Sequence, residues 1–251
     1  MMRLGRLPHS PAAVSAAPSL AAHRFAAVEP RPILDRRYID YQPLMCGNQT
    51  KPVCTIAGLV NGMLAAEAVN NRASLPIDQG TVDPFYASIA GCAATDAAIE
   101  ATDGLVVLDV LKRQLGGFNC GLGTPSVGLF GTLPNRIAIA NAMDVLGFAY
   151  VGVDLHEADM EAAAAGKPWV AGGDPGAVVG GHLIVPFDYL GLADDDMGRA
   201  ATWGALQPLS WAWLAARMRE AYGLAYRFLG TAGALDAVGD TQEAALARWA
   251  A

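Results

Sequence analysis

The chain has 251 residues, of which 53% are hydrophobic and only 16% are charged, and its formal net charge is −7. This composition supplies enough apolar residues for a sizeable core and excludes wholesale disorder. The net negative charge argues against a sequence-independent nucleic-acid binder and against docking to anionic lipid by charge alone. No uninterrupted apolar run reaches the ~20 residues that a membrane helix needs, so no membrane span is predicted.

Residues 1–44 are predicted to form an extended arm, because neither helical nor strand periodicity lasts there. Proline recurs in this stretch at positions 8, 11, 18, 30, 32 and 43. No continuous apolar segment follows Arg3 and Arg6, so we expect no secretory signal. We expect the remaining residues, 45–251, to form a single domain.

The first half of this domain, about 45–147, has helical patterns. Apolar residues recur at helical spacing over 54–69, where Gly58 and Gly62 share one face and indicate close approach of another backbone. Two more helices are predicted over 83–101 and 103–115, the second with a glycine stop at 116–117. A Gly-rich loop with a short strand follows, and then a helix over 134–147 that begins with proline and ends with glycine.

The second half, about 148–251, has strand patterns. Strands are predicted over 148–155 and 182–190, and Pro186 within the second indicates an edge or a bulge. A Gly-rich loop covers 166–181, a turn 194–198 and a short strand 199–206. A helix rich in Trp and Ala is predicted over 208–226. Helices followed by strands indicate the α+β fold class rather than alternating βαβ units.

Cys54 is the strongest candidate for a catalytic residue, because it lies at the predicted start of a helix. Unpaired N–H groups and the helix dipole at that end stabilise an anion, so we expect a lowered thiol pKa and a nucleophilic thiolate. The alternative is a small buried cysteine, which is how most free cysteines behave.

His182 is the candidate base. It follows Gly180 and Gly181, which remove side-chain bulk in front of the imidazole, and it opens an apolar strand. The alternative is a histidine at the surface end of a strand. Cys54 and His182 are 128 residues apart (182 − 54), close to the ~130–150 residues of the papain-type arrangement. In such a pair the histidine acts first as general base and then as general acid.

The other conspicuous sequence features are not interpreted as catalytic or ligand-binding sites. The cysteines at 46, 54, 92 and 120 form no C-x-x-C motif, and a Cys46–Cys54 disulfide would block the candidate nucleophile. The run Asp194-Asp195-Asp196 is typical of a solvated turn and lacks calcium-loop spacing. No Gly-Lys-Ser/Thr follows the Gly-rich stretch at 116–123, so it is no phosphate loop. No cofactor and no metal site are predicted.

The chain resembles the papain-like (C1-type) cysteine peptidases, and within them a divergent branch found among phage and prophage proteins. Ordered segments along most of the chain carry the resemblance: Leu4-Gly5-Arg6-Leu7-Pro8, Gly47-Asn48, Cys54-Thr55-Ile56-Ala57-Gly58, 146–155, 180–185, Thr202-Trp203-Gly204-Ala205-Leu206-Gln207, Ser210-Trp211-Ala212-Trp213 and Glu220-Ala221-Tyr222. The resemblance implies a papain-like domain in which the N-terminal helical half, with the nucleophile helix, packs on a C-terminal antiparallel β half.

By this resemblance Cys54 is the nucleophile and His182 the base. The amide six residues before the cysteine, Asn48, takes the place of the oxyanion-hole residue, with Gln49 in reserve. Losing one oxyanion donor costs roughly 10²–10³ in turnover in well-studied hydrolases.

The chain departs from the family pattern at two places. The family has an asparagine two residues before the tryptophan that follows the histidine strand, whereas this chain has Ala201 there. Thr202 is the preferred substitute as the group that orients the imidazole. Asp188 is less suitable, because six residues along a strand span ~20 Å. The second departure is Pro52-Val53, which stands where the family has small residues.

The resemblance leaves the function open. The first hypothesis is a thiol hydrolase acting on a peptide or protein. The second is a catalytically degenerate papain-fold protein that docks to neighbouring virion subunits through its N-terminal arm, and the third is an acyltransferase on the same scaffold. The expected location is the virion or the bacterial cytoplasm, and no nucleic-acid partner is expected. Fold alone does not choose among these hypotheses.

Overall fold

A computed structural model describes residues 2–15, 17, 29–69, 79–114 and 124–229 of the chain. Cys120 and the predicted Gly-rich loop at 116–123 lie outside the described residues. Among the described residues, no helix is both long enough and apolar enough to span a membrane.

Helices dominate the first half of the described chain and strands the second. In chain order the elements are β1 (Arg6–Leu7), α1 (Pro11–Ser15), α2 (Cys54–Val69), a 3₁₀ turn (Gln79–Thr81), α3 (Val82–Ala90), α4 (Asp96–Glu100), β2 (Leu105–Val106), α5 (Val107–Gln114), β3 (Thr124–Thr132), α6 (Arg136–Leu146), β4 (Tyr150–His156), α7 (Glu157–Ala164), β5 (Val178–Tyr189), β6 (Met197–Thr202), β7 (Ala205–Ser210), α8 (Trp211–Arg217) and β8 (Met218–Leu229). This order confirms the α+β fold class.

The described strands form one sheet of eight, in the order β2-β1-β5-β4-β8-β3, with the hairpin β6-β7 attached to β5. All pairings are antiparallel except β1 with β2. Along β5 the buried side chains alternate between two cores. Leu183 and Val185 pack in the core that contains α2, whereas Ile184 packs in the core that contains α6 and α8. The sheet therefore separates two apolar layers.

Helix α2 is buried nearly all round, which explains why its sequence is apolar on every face. Its two glycines both lie at close contacts, but the prediction of another backbone there was wrong, because side chains fill the space. A Cβ at Gly58 would lie 1.9 Å from Cδ2 of Leu183, and one at Gly62 would lie 2.5 Å from the ring of Phe148. Glycine is therefore required at these positions for close packing.

Pro186 coincides with a bulge, as its position in a strand predicted. The register between β5 and β6 shifts between Pro186 and Asp188. Asp188 lies just beyond this shift and accepts hydrogen bonds from the backbone and side chain of Arg199. This carboxylate is therefore engaged away from His182.

Three secondary-structure predictions were wrong. The helix predicted over 83–101 is broken at Gly91, which has a φ of 69°, and it resumes after the Thr95 cap. The strand predicted over 199–206 is instead a hairpin that turns at Trp203-Gly204. The helix predicted over 208–226 ends at Arg217, because 218–229 pairs with both β3 and β4. Sheet pairing here overrides local helix propensity.

The beginning of the predicted arm lies within the sheet. Arg6 pairs with Leu105 on one side and with Gly181 on the other. Further along, Leu34 forms a bridge to Tyr189. The Arg6 side chain is buried, so this segment contributes to the interior of the protein.

The Gly62→Ala variant tests the packing of α2 on the sheet. Helix propensity alone would favour alanine by about 1 kcal/mol, whereas overpacking against the Phe148 ring costs about 1–3 kcal/mol. We expect a net loss of stability in urea unfolding monitored by circular dichroism. A variant more stable than the wild type would contradict this packing.

Candidate active site

Cys54 is the first residue of α2, and its thiol lies against the strand that carries His182. The backbone N–H groups of Leu183, Gly5 and Thr55 lie near its sulfur, because they act to lower the pKa of the thiol. Leu183 is the residue after His182, so the thiol lies near β5, but Nδ1 of His182 has no hydrogen-bond partner among the described residues, the thiol included. Cys54 is 1% exposed, which places its thiol in the interior.

The imidazole of His182 is held by two neighbours. Its Nε2 lies 2.7 Å from Oγ1 of Thr202, and its ring stacks on Trp203 with centroids 4.3 Å apart and planes inclined by 22°. Its other nitrogen, Nδ1, is buried and has no hydrogen-bond partner among the described residues. The hydrogen bond and the stacking fix the ring and leave Nδ1 unengaged.

The turn between β6 and β7 places Thr202 and Trp203 on the imidazole. Trp203 has a φ of 45° and Gly204 a φ of 70°, which is the pattern of a tight two-residue hairpin turn. A left-handed backbone costs a non-glycine residue roughly 1–2 kcal/mol. The stacking of Trp203 on His182 and its edge-on contact with Trp169 offset this cost.

Asn48 lies in the turn before α2, where the sequence predicts the oxyanion-hole residue. It is buried, and its Oδ1 has no hydrogen-bond partner among the described residues. The neighbouring Gln49 is exposed. Asn48 is not among the described groups that shift the pKa of Cys54, so its role as an oxyanion donor stays a prediction.

The loop before Cys54 is anchored to the helices beside it. Nζ of Lys51 lies 2.6 Å from a carboxylate oxygen of Asp83 and 3.0 Å from one of Asp96. Pro52 and Val53 follow and are buried. The ion pairs and the proline together fix the chain as it enters α2.

The N-terminal segment Leu4–Leu7 covers the thiol. The N–H of Gly5 donates to the carbonyl oxygen of Gly181 at 3.2 Å, and the carbonyl oxygen of Gly5 accepts from the N–H of Leu105 at 2.9 Å. A Cβ at Gly5 would lie 2.2 Å from the carbonyl oxygen of Pro52, and the Gly5 backbone acts to lower the pKa of Cys54, so the segment lies close to the candidate nucleophile.

Arg6 of this segment is held by charged partners. Its Nη1 donates to Oε1 of Glu220 at 3.0 Å and its Nη2 donates to Oδ1 of Asp154. Its Nε donates to the carbonyl oxygen of Val153 at 3.3 Å. His9 follows, with Nε2 2.8 Å from Oε2 of Glu220.

Sequence reasoning missed these partners of Arg6. Glu220 and Asp154 are separated by 66 positions in the sequence (220 − 154), and no motif links them. The available signal was a single carboxylate, Glu220, which follows Arg219 and precedes the apolar and aromatic residues 221–226. The sequence predicts space in front of the imidazole at Gly181, but Arg6 fills this space: a Cβ at Gly181 would lie 2.3 Å from the Arg6 carbonyl oxygen.

The expectation of a lowered thiol pKa was wrong for this closed site. Burial raises the pKa of Cys54 to about 11, although the backbone N–H groups and the Arg6 charge act in the opposite direction. Burial, assisted by the Arg6 charge, lowers the pKa of His182 to about 3. Both groups are therefore neutral near pH 7, because desolvation outweighs the helix terminus.

Comparison with known proteins supports the fold. No protein-family profile and no curated protein sequence match the chain. Solved structures do match: xylellain, a cysteine protease from Xylella fastidiosa, has a TM-score of 0.60 at 10% identity over 89% of this chain and 96% of that one. The ragweed cysteine protease Amb a 11 in its proform has a TM-score of 0.55 at 12% identity, over 85% and 72%. Procathepsin B from Trypanosoma congolense has a TM-score of 0.50 at 10% identity, over 91% of this chain and 84% of that one. The chain thus has the papain-like cysteine protease fold.

The reactivity of Cys54 towards iodoacetamide should follow its raised pKa. A thiol of pKa about 11 is mostly protonated at pH 7.5, so we expect alkylation to be roughly a hundredfold slower than that of an ordinary exposed thiol. The rate should rise about tenfold per pH unit up to pH 10. Mass spectrometry of tryptic peptides measures it, with the urea-unfolded chain as control, and a rate that levels off near neutral pH would contradict this prediction.

Variants of Thr202 test its hydrogen bond to the imidazole. Thr202→Val leaves both nitrogens of a buried ring without a partner, which costs about 1–3 kcal/mol of unfolding free energy. Thr202→Ser keeps the hydroxyl and should lose less than half as much. Urea unfolding of both variants is the measurement, and equal losses would show that the hydroxyl does not stabilise the ring.

Proposed function

We propose that the chain is a thiol hydrolase of peptide or protein substrates, with Cys54 as nucleophile and His182 as base. The observation that supports this most strongly is a buried histidine whose ring is held by Thr202 and Trp203, one residue before Leu183, whose backbone acts on the pKa of the Cys54 thiol. The papain-like fold of the chain agrees with this chemistry.

The proposed reaction uses the two ring nitrogens of His182 differently. Nδ1 takes the thiol proton as Sγ attacks the substrate carbonyl carbon, while Nε2 stays on Thr202. The imidazolium then protonates the leaving amine as the C–N bond breaks, which leaves a thioester on Cys54. Water hydrolyses the thioester, with His182 again as base. Asn48 and the backbone N–H of Cys54 are proposed to stabilise the oxyanion.

Activity requires the N-terminal segment to move away from the thiol. In the closed site the thiol has almost no contact with solvent, and its high pKa opposes thiolate formation. Withdrawal of Leu4–Leu7 would admit water and substrate and would remove the desolvation that raises this pKa.

The same closure fits a second candidate function, a catalytically inactive papain-fold protein. The observation in its favour is that Arg6 is built into the interior through ion pairs to Glu220 and Asp154. Docking to virion subunits, a phage or prophage origin and a location in the virion or the bacterial cytoplasm stay predictions from the sequence alone.

The Arg6→Gln variant of the full chain separates the two candidates. Loss of the charged hydrogen bonds should loosen the segment, and we expect hydrolysis of a fluorogenic peptide library to rise at least about tenfold over the wild type. Adding Cys54→Ala or His182→Ala should lower this activity by about 10³-fold or more. Cys92→Ala is the matched control and should have no effect.

Two results would reject the hydrolase. In one, Arg6→Gln makes Cys54 reactive towards iodoacetamide and yet no peptide is cleaved, which favours the inactive protein. In the other, cleavage persists after both Cys54 and His182 are replaced by alanine.

A further inference from the structure

Beside the thiol the structure contains a slot shaped for one arginine side chain. We call it the arginine slot and define it by the carboxylates of Asp154 and Glu220 and by the glycines at 152 and 181. A Cβ at Gly152 would lie 2.7 Å from Cδ of Arg6 and 2.7 Å from Cγ of Glu220, and one at Gly181 would lie 3.1 Å from Nε of Arg6. The glycines provide the space and the carboxylates provide the charge.

The carboxylates of the arginine slot need a cation to balance their negative charge, and Arg6 supplies it in this structure. Glu220 is buried, and the structure places three groups on its carboxylate, those of Arg6, His9 and Tyr222. Arg6 belongs to the N-terminal segment Leu4–Leu7, and His9 lies two residues beyond it. When the chain withdraws as far as His9, Glu220 keeps only the hydrogen bond from the Tyr222 hydroxyl among these three. A buried carboxylate left in this condition favours a replacement cation.

The backbone around the slot is arranged to bind an extended peptide. Gly5 is hydrogen-bonded on one side to Gly181 and on the other to Leu105. These bonds use only main-chain atoms, so any extended peptide can form them. Side-chain selection at the thiol is strict, because a Cβ at position 5 would lie 2.2 Å from the carbonyl oxygen of Pro52.

We infer that the cleft selects peptides with a glycine at the thiol followed by an arginine, and that Leu4–Leu7 is an intramolecular copy of this ligand. Glu220 and Asp154 are then the specificity-determining residues. Arginine is preferred to lysine because its planar guanidinium reaches both carboxylates and the Val153 carbonyl oxygen at once. The inference rests on the proposed function for its biological meaning, but the binding that it describes does not require catalysis.

Protection of Cys54 from alkylation tests the inference in the full chain. In the Arg6→Gln variant the slot lacks its guanidinium, and iodoacetamide should reach Cys54 at least about tenfold faster than in the wild type. The peptide acetyl-Leu-Gly-Arg-Leu-amide should restore protection. The same peptide with citrulline, a neutral isostere of arginine, should need at least about tenfold higher concentration, and the peptide with alanine in place of glycine should not protect.

Charge variants of the slot provide the matched control. Adding Glu220→Gln to Arg6→Gln should remove the preference for arginine over citrulline, whereas adding Glu161→Gln, at an exposed carboxylate on α7, should preserve it. Equal protection by the arginine and citrulline peptides, or none from either while Cys54 reacts, overturns the inference.

A second variant covers the case in which Arg6→Gln does not fold. Gly5→Ala displaces the segment by its clash with Pro52 and keeps Arg6, and the same peptides are then compared. If neither variant folds, the segment is a permanent strand of the sheet and the inference is wrong. If the arginine peptide protects Cys54 better than the citrulline peptide does but no peptide is hydrolysed, the result supports the arginine slot and rejects only the proposed hydrolase function.

Discussion

The buried ion pair between Arg6 and Glu220 is the interaction on which the closed site depends. Both side chains are 2% exposed, and removal of one partner from such a pair costs about 3–5 kcal/mol because a charge is left unpaired in the interior. Departure of Arg6 carries this cost unless water or another cation compensates the charge of Glu220. The pair therefore holds β1 between β5 and β2, and β1 in turn keeps solvent from the thiol.

Burial by this strand decides the protonation of the two reactive side chains. A helix terminus and three N–H donors favour a thiolate at Cys54, but desolvation is the larger effect and keeps the thiol neutral. The same desolvation keeps His182 neutral. Both side chains are thus neutral in the closed site, and their burial opposes the transfer of a proton from the thiol to the imidazole.

The sequence was informative wherever a feature is local. Helix α2 follows from its apolar spacing, and the bulge in β5 follows from Pro186. Thr202 was chosen because it precedes Trp203, and the structure brings its hydroxyl to the imidazole, although its catalytic role stays a prediction. Strand β8 and the burial of Arg6 could not be predicted, because both depend on pairing partners far away in the chain.

The long sequence separation between Arg6 and its carboxylate partners also determines when Arg6 can become buried during protein synthesis. Arg6 is 148 residues from Asp154 and 214 from Glu220. Very long loops must therefore close, at a cost in chain entropy, before these ion pairs can form and stabilise the fold. Ribosomes make α2, β5 and the Trp203 turn before they make Glu220. Arg6 can therefore reach its final position only after β8 has emerged, and until then a nascent chain carries its cysteine without the cover that the finished protein has.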